Sequence, residues 1–269
     1  MAILEWHAVA FKLSSRQIAS KLWRHAASKG ETMSFSQSLI QQEQPLLQAN
    51  EQCSFIQDVV HGRLSREAMN YYIQQDLHYT DAETYVQTQL IAKSASIADQ
   101  RLFTDQLQSH LQTVNELYES LSKTLHADWS LQRKQTIQPV TSFYREHLLS
   151  QTRDGDLLDM LTPFQAGIWM YVELGRYLAS TGKVKPDNGF YQWVVDVQEP
   201  TLAGPDGISA RFFAVMDREA ESASEVQLKR ARDNFHRSCL FEWYFWDAAS
   251  RQLTWNDFEN QALQASTMA

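Results

Sequence analysis

The chain has 269 residues, a formal net charge of −8 and 43% hydrophobic residues. That acidic balance argues against a nucleic-acid surface, which needs clustered Lys and Arg, and no apolar run approaches the length of a membrane span. Two cysteines, Cys53 and Cys239, supply neither a disulfide framework nor a metal-ligand spacing, and point to a reducing, cytoplasmic setting. Only 9 Gly and 6 Pro interrupt the chain, so long periodic segments can run on. Its 8 Trp, 10 Tyr and 13 Phe can fill a core, and can also line a slot for a flat heterocycle.

Residues 1–33 differ from the rest. They carry Lys12, Arg16, Lys21, Arg24 and Lys29 against Glu5 and Glu31. With no apolar h-region this is not a secretory signal. It reads as a weakly ordered extension: an appended helix, or an upstream start ahead of a domain that begins near Met33 and fills 34–269. From Ser36 the helical signals are steady. Residues 36–48 place Leu39, Ile40, Leu46 and Leu47, with a break at Pro45. A short helix over 54–61 ends at Gly62, a C-cap residue. Ser65 opens a long helix to about Ser94, and a third spans about 97–125. Pro139 opens the next, Val140 to Ser150. The most apolar helix spans 156–179, with Pro163 and Gly167 as expected irregularities. Residues 182–189 form a loop, 190–197 a short helix, and 198–208 an irregular stretch. The last long helix is expected from Ser222 to Ser250, with a terminal helix at 255–264. No strand pattern or repeat stands out, so the expected class is all-α.

Two features carry chemistry. On the helix from Ser65, spacings of three and four place Tyr72, Asp76, Tyr79 and Glu83 on one face. Two rings and two acids in one stripe fit neither a core nor a solvated surface. The run FHRSCLFEWYFW (235–246) holds one acid, Glu242, which shares a face with Cys239, Phe245 and Trp246. Burying such a carboxylate costs several kcal/mol unless it is paired, hydrogen-bonded or protonated. Either Glu242 reaches out to a salt bridge at a helix end, or it sits in an aromatic pocket with a raised pKa, ready to move a proton.

YYIQQDLHY (71–79), GIWMYVELGRYL (167–178) and FEWYFWDAA (241–249) stand in an order and separation that resemble three motifs of the TenA/thiaminase II family, over about residues 35–250. The resemblance implies a haem-oxygenase-like helical bundle, a homotetramer in this family, with no metal and no organic cofactor. It implies a small aminopyrimidine as substrate, and thiamin cleavage or hydrolytic deamination of the degraded pyrimidine at its aminomethyl carbon as the reaction. Carried over by motif, Asp76 holds the ring nitrogen and the exocyclic amine. Tyr79, Tyr144 and Tyr171 line the site, Phe245 stacks near the ring, and Glu242 is the acid/base. Glu173 is a candidate second acid, or an ion-pair partner of Arg176.

The chain departs from the family's better-known branch, whose nucleophilic Cys falls at about Thr141 here. Threonine is a poor nucleophile without a dedicated base, so the chain resembles a branch that relies on carboxylates. YQWVVDVQEPTLAGPDG also replaces the family's rim segment. Three other readings stand beside this one. A di-metal oxidase on the same fold needs about six ligands from several helices, and Asp233 with His236 and Glu119 with His126 are the spacings to test. A haem site would need an axial histidine, for which His61 at a helix end is the suggestion. The third is a pyrimidine-binding protein without catalysis. An acidic chain with no visible recognition helix speaks against DNA binding.

Overall fold

The computed structural model describes residues 33–267 apart from 189 and 197, so the expected extension at 1–33 lies, save Met33, outside the described residues. Every regular element described is a helix: α1 (Phe35–Gln42), α2 (Gln44–Glu51), α3 (Ser54–Val60), α4 (Arg66–Lys93), α5 (Ile97–Thr124), α6 (Trp129–Gln132), α7 (Pro139–Asp154), α8 (Leu157–Thr181), α9 (Tyr191–Asp196), α10 (Pro200–Ala203), α11 (Ile208–Ser222), α12 (Glu225–Arg251) and α13 (Trp255–Thr267). No described helix is long and apolar enough to cross a membrane.

Local sequence accounts for most boundaries. Side chains of Ser34, Ser65, Ser96, Asp156 and Ser224 accept backbone N–H groups in the first turns of α1, α4, α5, α8 and α12, satisfying donors that have no partner inside the helix. Pro45 sits in the first turn of α2, where its missing N–H costs nothing. Gly62 and Gly182 take φ of +63° and +60° just past α3 and α8, the left-handed conformation that glycine adopts without strain.

The most apolar helix forms as expected: α8 runs through both Pro163 and Gly167. It is buried on nearly every side, so tertiary packing outweighs the lost hydrogen bond and low propensity. One helix lies where none is expected, between 208 and 222, and the last long helix begins at Glu225, after Ser222. Ile208, Phe212, Val215 and Met216 form the buried stripe of α11, which ends at Ser222, and Ser224 caps α12. A smaller difference is that α7 continues four residues past Ser150.

α8 packs along α12 in the centre, and α4 lies along α5 and α7. Phe55, Phe103, Phe164, Phe212, Phe235 and Tyr144 are fully buried in this core. The arrangement turns the Asp76 face of α4 toward α12, with α7 and α8 closing the sides.

Candidate active site

The α4 stripe delivers Tyr72, Asp76 and Tyr79, with Tyr72 3% and Tyr79 7% exposed. Asp76 is half-buried. The Tyr118 hydroxyl, from α5, donates to Asp76 Oδ2, and the Tyr72 hydroxyl also turns to this carboxyl. Burial raises the Asp76 pKa to about 6, against the two tyrosine hydrogen bonds that hold it down. Tyr171, half-buried on α8, is near enough for its charge to help hold the Tyr72 and Tyr118 hydroxyls above their ordinary range, after burial.

Glu242 stands on α12 at 8% exposure. It is not a helix-end acid reaching a salt bridge: it is in no ion pair among the described residues, and the Tyr144 hydroxyl donates to its Oε1 at 2.8 Å. Burial pushes its pKa up to about 8; the Tyr144 bond opposes this and the charge of Asp76 adds to it. Tyr79 packs on Tyr144, ring centroids 4.5 Å apart. Phe245, one turn past Glu242, lies 6.2 Å from the Tyr72 ring and 6.1 Å from the Tyr79 ring. Its ring thus packs against a tyrosine on the Asp76 side and another on the Glu242 side.

Gly167 explains how so many oxygens converge. A Cβ at this position of α8 would lie 3.0 Å from the Tyr79 hydroxyl, 3.2 Å from that of Tyr144 and 3.3 Å from Glu242 Oε1. A side chain there would push these oxygens back by a few tenths of an ångström. The position that abuts these three oxygens is therefore Gly167 on α8, and it supplies no nucleophile. Thr141 is buried on α7, one turn before Tyr144. Cys239 is buried too, and burial raises its thiol well above the ordinary range, which disfavours the thiolate.

The structure brings together Asp76, Tyr79, Tyr144, Tyr171, Glu242 and Phe245. It does not bring in Glu173, whose carboxylate is bound by Arg176; Arg176 also donates to the Ala203 carbonyl at 2.6 Å. Sequence reasoning missed three participants. Tyr118 comes from a separate helix, Gly167 looked like a helix irregularity, and Glu83 stood in the stripe without a role assigned to it. Among the described residues no cluster of three His, Cys, Asp or Glu side chains is placed to hold a metal ion. Asp233 pairs with Lys229 at 2.6 Å while His236 reaches Glu43 at 2.9 Å, and Glu119 pairs with Lys123 at 2.9 Å. His61 is a helix-end residue bonded to the Gln57 carbonyl.

Fold and site together define an all-α protein of the haem-oxygenase-like class, with two tyrosine-bound carboxyls, Asp76 and Glu242, set among aromatic rings. The chain belongs to the TENA/THI-4/PQQC family, whose profile matches residues 41–252. It is 24% identical over 235 residues to the aminopyrimidine aminohydrolase of Staphylococcus aureus strain NCTC 8325, covering 83% of this chain and 96% of that protein. It is 22% identical over 228 residues to the aminopyrimidine aminohydrolase of Staphylococcus epidermidis ATCC 12228, at 83% and 96% coverage. Among solved structures, a TenA homologue from P. horikoshii OT3 matches with a TM-score of 0.72 at 19% identity, covering 81% of this chain and 99% of that one. A TenA homologue from Pyrococcus furiosus gives 0.71 at 18%, with 80% and 99% covered. These likenesses establish the fold.

Proposed function

We propose that the protein hydrolyses 4-amino-5-aminomethyl-2-methylpyrimidine to the hydroxymethyl compound and ammonia, salvaging the pyrimidine of degraded thiamin without a cysteine nucleophile. The observation that carries this reading is Glu242: a carboxyl among rings, bound by Tyr144, paired with no cation among the described residues, and half protonated near pH 8. That is the range in which one group can both give and take a proton. The staphylococcal relatives named for this activity support it.

In the proposed reaction Asp76 accepts N–H bonds from the ring edge and the exocyclic amine. This fixes the pyrimidine and favours its protonated, electron-poor form. The rings of Tyr79 and Phe245 clamp its faces. Glu242 shares a proton with the aminomethyl nitrogen. With that proton on nitrogen, the C–N bond breaks as a water oxygen begins to bond to the methylene carbon, and both bonding electrons leave with ammonia. The Glu242 carboxylate then takes a proton from water as the water oxygen bonds to the methylene carbon, which restores protonated Glu242. Tyr144 holds the carboxyl in place throughout. The scheme calls for no metal and no organic cofactor because both proton transfers fall to Glu242. A cytoplasmic homotetramer goes with it, and light scattering in solution tests the assembly.

The test is ammonia release by purified, metal-stripped protein given the aminopyrimidine and thiamin in parallel. Release from the aminopyrimidine but not from thiamin is expected. No release from the aminopyrimidine overturns the reading.

A further inference from the structure

The second half of α5 carries one apolar stripe: Val114, Tyr118, Leu121 and Leu125 recur at spacings of four, three and four. Tyr118, Leu121 and Leu125 are 4%, 4% and 7% exposed, and α4 is the helix that α5 packs along. The stripe delivers a phenol to the Asp76 carboxyl, where the Tyr118 hydroxyl donates to Oδ2. The Tyr72 hydroxyl stands 3.5 Å from that of Tyr118 and turns to the same carboxyl. Tyr72 is held in turn by its ring, stacked 5.3 Å from Trp246 and tilted 5.6 Å from Phe55.

Two hydroxyls this close can satisfy each other. A carboxyl drawn in beside them adds a group that burial penalises, and among the described residues Asp76 is in no ion pair. An ionised carboxyl has about four acceptor positions. Tyr118 and Tyr72 occupy part of that capacity and leave the rest open. An aminopyrimidine protonated on its ring nitrogen offers parallel N–H donors, from the ring and from the exocyclic amine. The acceptors left on Asp76 match the donors of that edge.

We infer that Tyr118 is a positioning residue for Asp76: its hydroxyl keeps the carboxyl ionised and oriented, so that the remaining acceptors meet the N–H edge of the pyrimidine. The inference rests on the function proposed above and adds how the ring edge is read. The titratable groups around Asp76 are Tyr72 and Glu83 on α4, Tyr118 on α5, Tyr171 on α8 and Glu242 on α12, with Tyr144 of α7 bonded to Glu242. Of these, the hydroxyls of Tyr118 and Tyr72 bond the carboxyl and oppose the larger push of burial, which leaves its pKa at about 6. Without the Tyr118 hydroxyl the carboxyl keeps its proton to higher pH. A protonated Asp76 turns a donor toward the donors of the ring, so binding is lost from the acid side.

The test is Tyr118→Phe, which keeps the ring and removes the hydroxyl, assayed across pH with the aminomethyl compound. In the parent protein kcat/KM is expected to fall below about pH 6 with Asp76 and above about pH 8 with Glu242. Tyr118→Phe is expected to move the acid limb to about pH 7 and to raise KM about tenfold, the size of one charge-assisted hydrogen bond. The alkaline limb should stay in place, and kcat should fall much less than KM rises. In an Asp76→Asn background the same change should cost little more in kcat/KM, because no carboxylate is left to hold. Tyr72→Phe is expected to move the acid limb the same way by less, and takes over the test if Tyr118→Phe does not fold. An acid limb that stays put, both limbs moving together, or an equal loss with and without the Asp76 carboxylate each overturns the inference. So does a parent protein without an acid limb, which needs no variant to fold. If the parent binds the hydroxymethyl compound by tryptophan fluorescence but releases no ammonia from the amine, the proposed function falls and the acid limb of Kd tests Tyr118 instead. If it binds neither compound, both fall; if it turns over the amine while Tyr118→Phe moves neither limb nor KM, only the role of Tyr118 falls.

Discussion

Two sets of acids are withdrawn from solvent in this protein, and their surroundings are opposite. Asp159, Asp99 and Glu43 are 1%, 5% and 1% exposed. Asp159 receives two Arg230 nitrogens at 2.5 Å, Asp99 receives Arg218 at 3.2 and 2.6 Å, and Glu43 lies 2.9 Å from a ring nitrogen of His236. These contacts tie α8 to α12, α5 to α11, and the start of α2 to α12. Asp76, Glu83 and Glu242 have tyrosine hydroxyls and each other instead. A carboxylate paired with a cation keeps a fixed charge and fixes packing. One surrounded by hydroxyls and rings holds its proton into the neutral range and can exchange it.

Removing the central acid breaks this contrast most sharply. Glu242→Gln is expected to lower kcat by about 100- to 10,000-fold, the range of general acid–base catalysis. Its melting temperature by circular dichroism should hold, since the amide oxygen can still accept from Tyr144 and no cation is stranded. Gly167→Ala is the next largest. A methyl group there crowds three oxygens at 3.0–3.3 Å, and small displacements of reacting groups are costly, so kcat/KM should fall about tenfold or more. The helix gain of up to about 1 kcal/mol for alanine over glycine is set against that crowding, so the change in stability should be small beside the loss of kcat/KM. Measuring both on one sample separates function from folding.

The paired set should behave in reverse. Arg230→Ala strands the buried Asp159 and is expected to cost about 1–3 kcal/mol in urea unfolding, with kcat of the folded protein unchanged. Effects of pH sharpen the contrast further. Glu242 and Asp76 bind protons more tightly folded than unfolded, at about 8 against 4.5 and about 6 against 3.8. Their contribution to stability is therefore full below the unfolded values and is lost as pH rises through the folded ones. Denaturation from pH 4 to 9 should show this decline, and Glu242→Gln should flatten its upper part. A loss of kcat/KM above about pH 8 belongs to the same group. The smallest effect is expected of Glu173→Gln: about 1 kcal/mol or less from a partly exposed ion pair, with little change in kcat. A large loss of kcat there would return Glu173 to the site.

The all-α class, most helix starts and the two chemical features were legible because each is local. Capping serines precede α1, α4, α5 and α12, and spacings of three and four placed Tyr72, Asp76, Tyr79 and Glu83 together. The isolation of Glu242 among rings was equally visible. α11 could have been read from Ile208, Phe212, Val215 and Met216 by the same periodicity, but the turn-rich stretch before it drew attention away.

Helical period determines which side chains share a face. It does not say which face of another helix lies opposite, because that depends on how the whole core packs. Tertiary structure alone decided that Tyr118 comes from α5 to Asp76 and Tyr144 from α7 to Glu242. Packing also turned Gly167, a weak point by propensity, into the space where three oxygens meet, and held Glu173 to Arg176 one turn away. Sequence by itself determined an acid-bearing helical bundle; the packing of α4, α5, α7, α8 and α12 decided which acids meet tyrosine hydroxyls and which meet a basic side chain among the described residues.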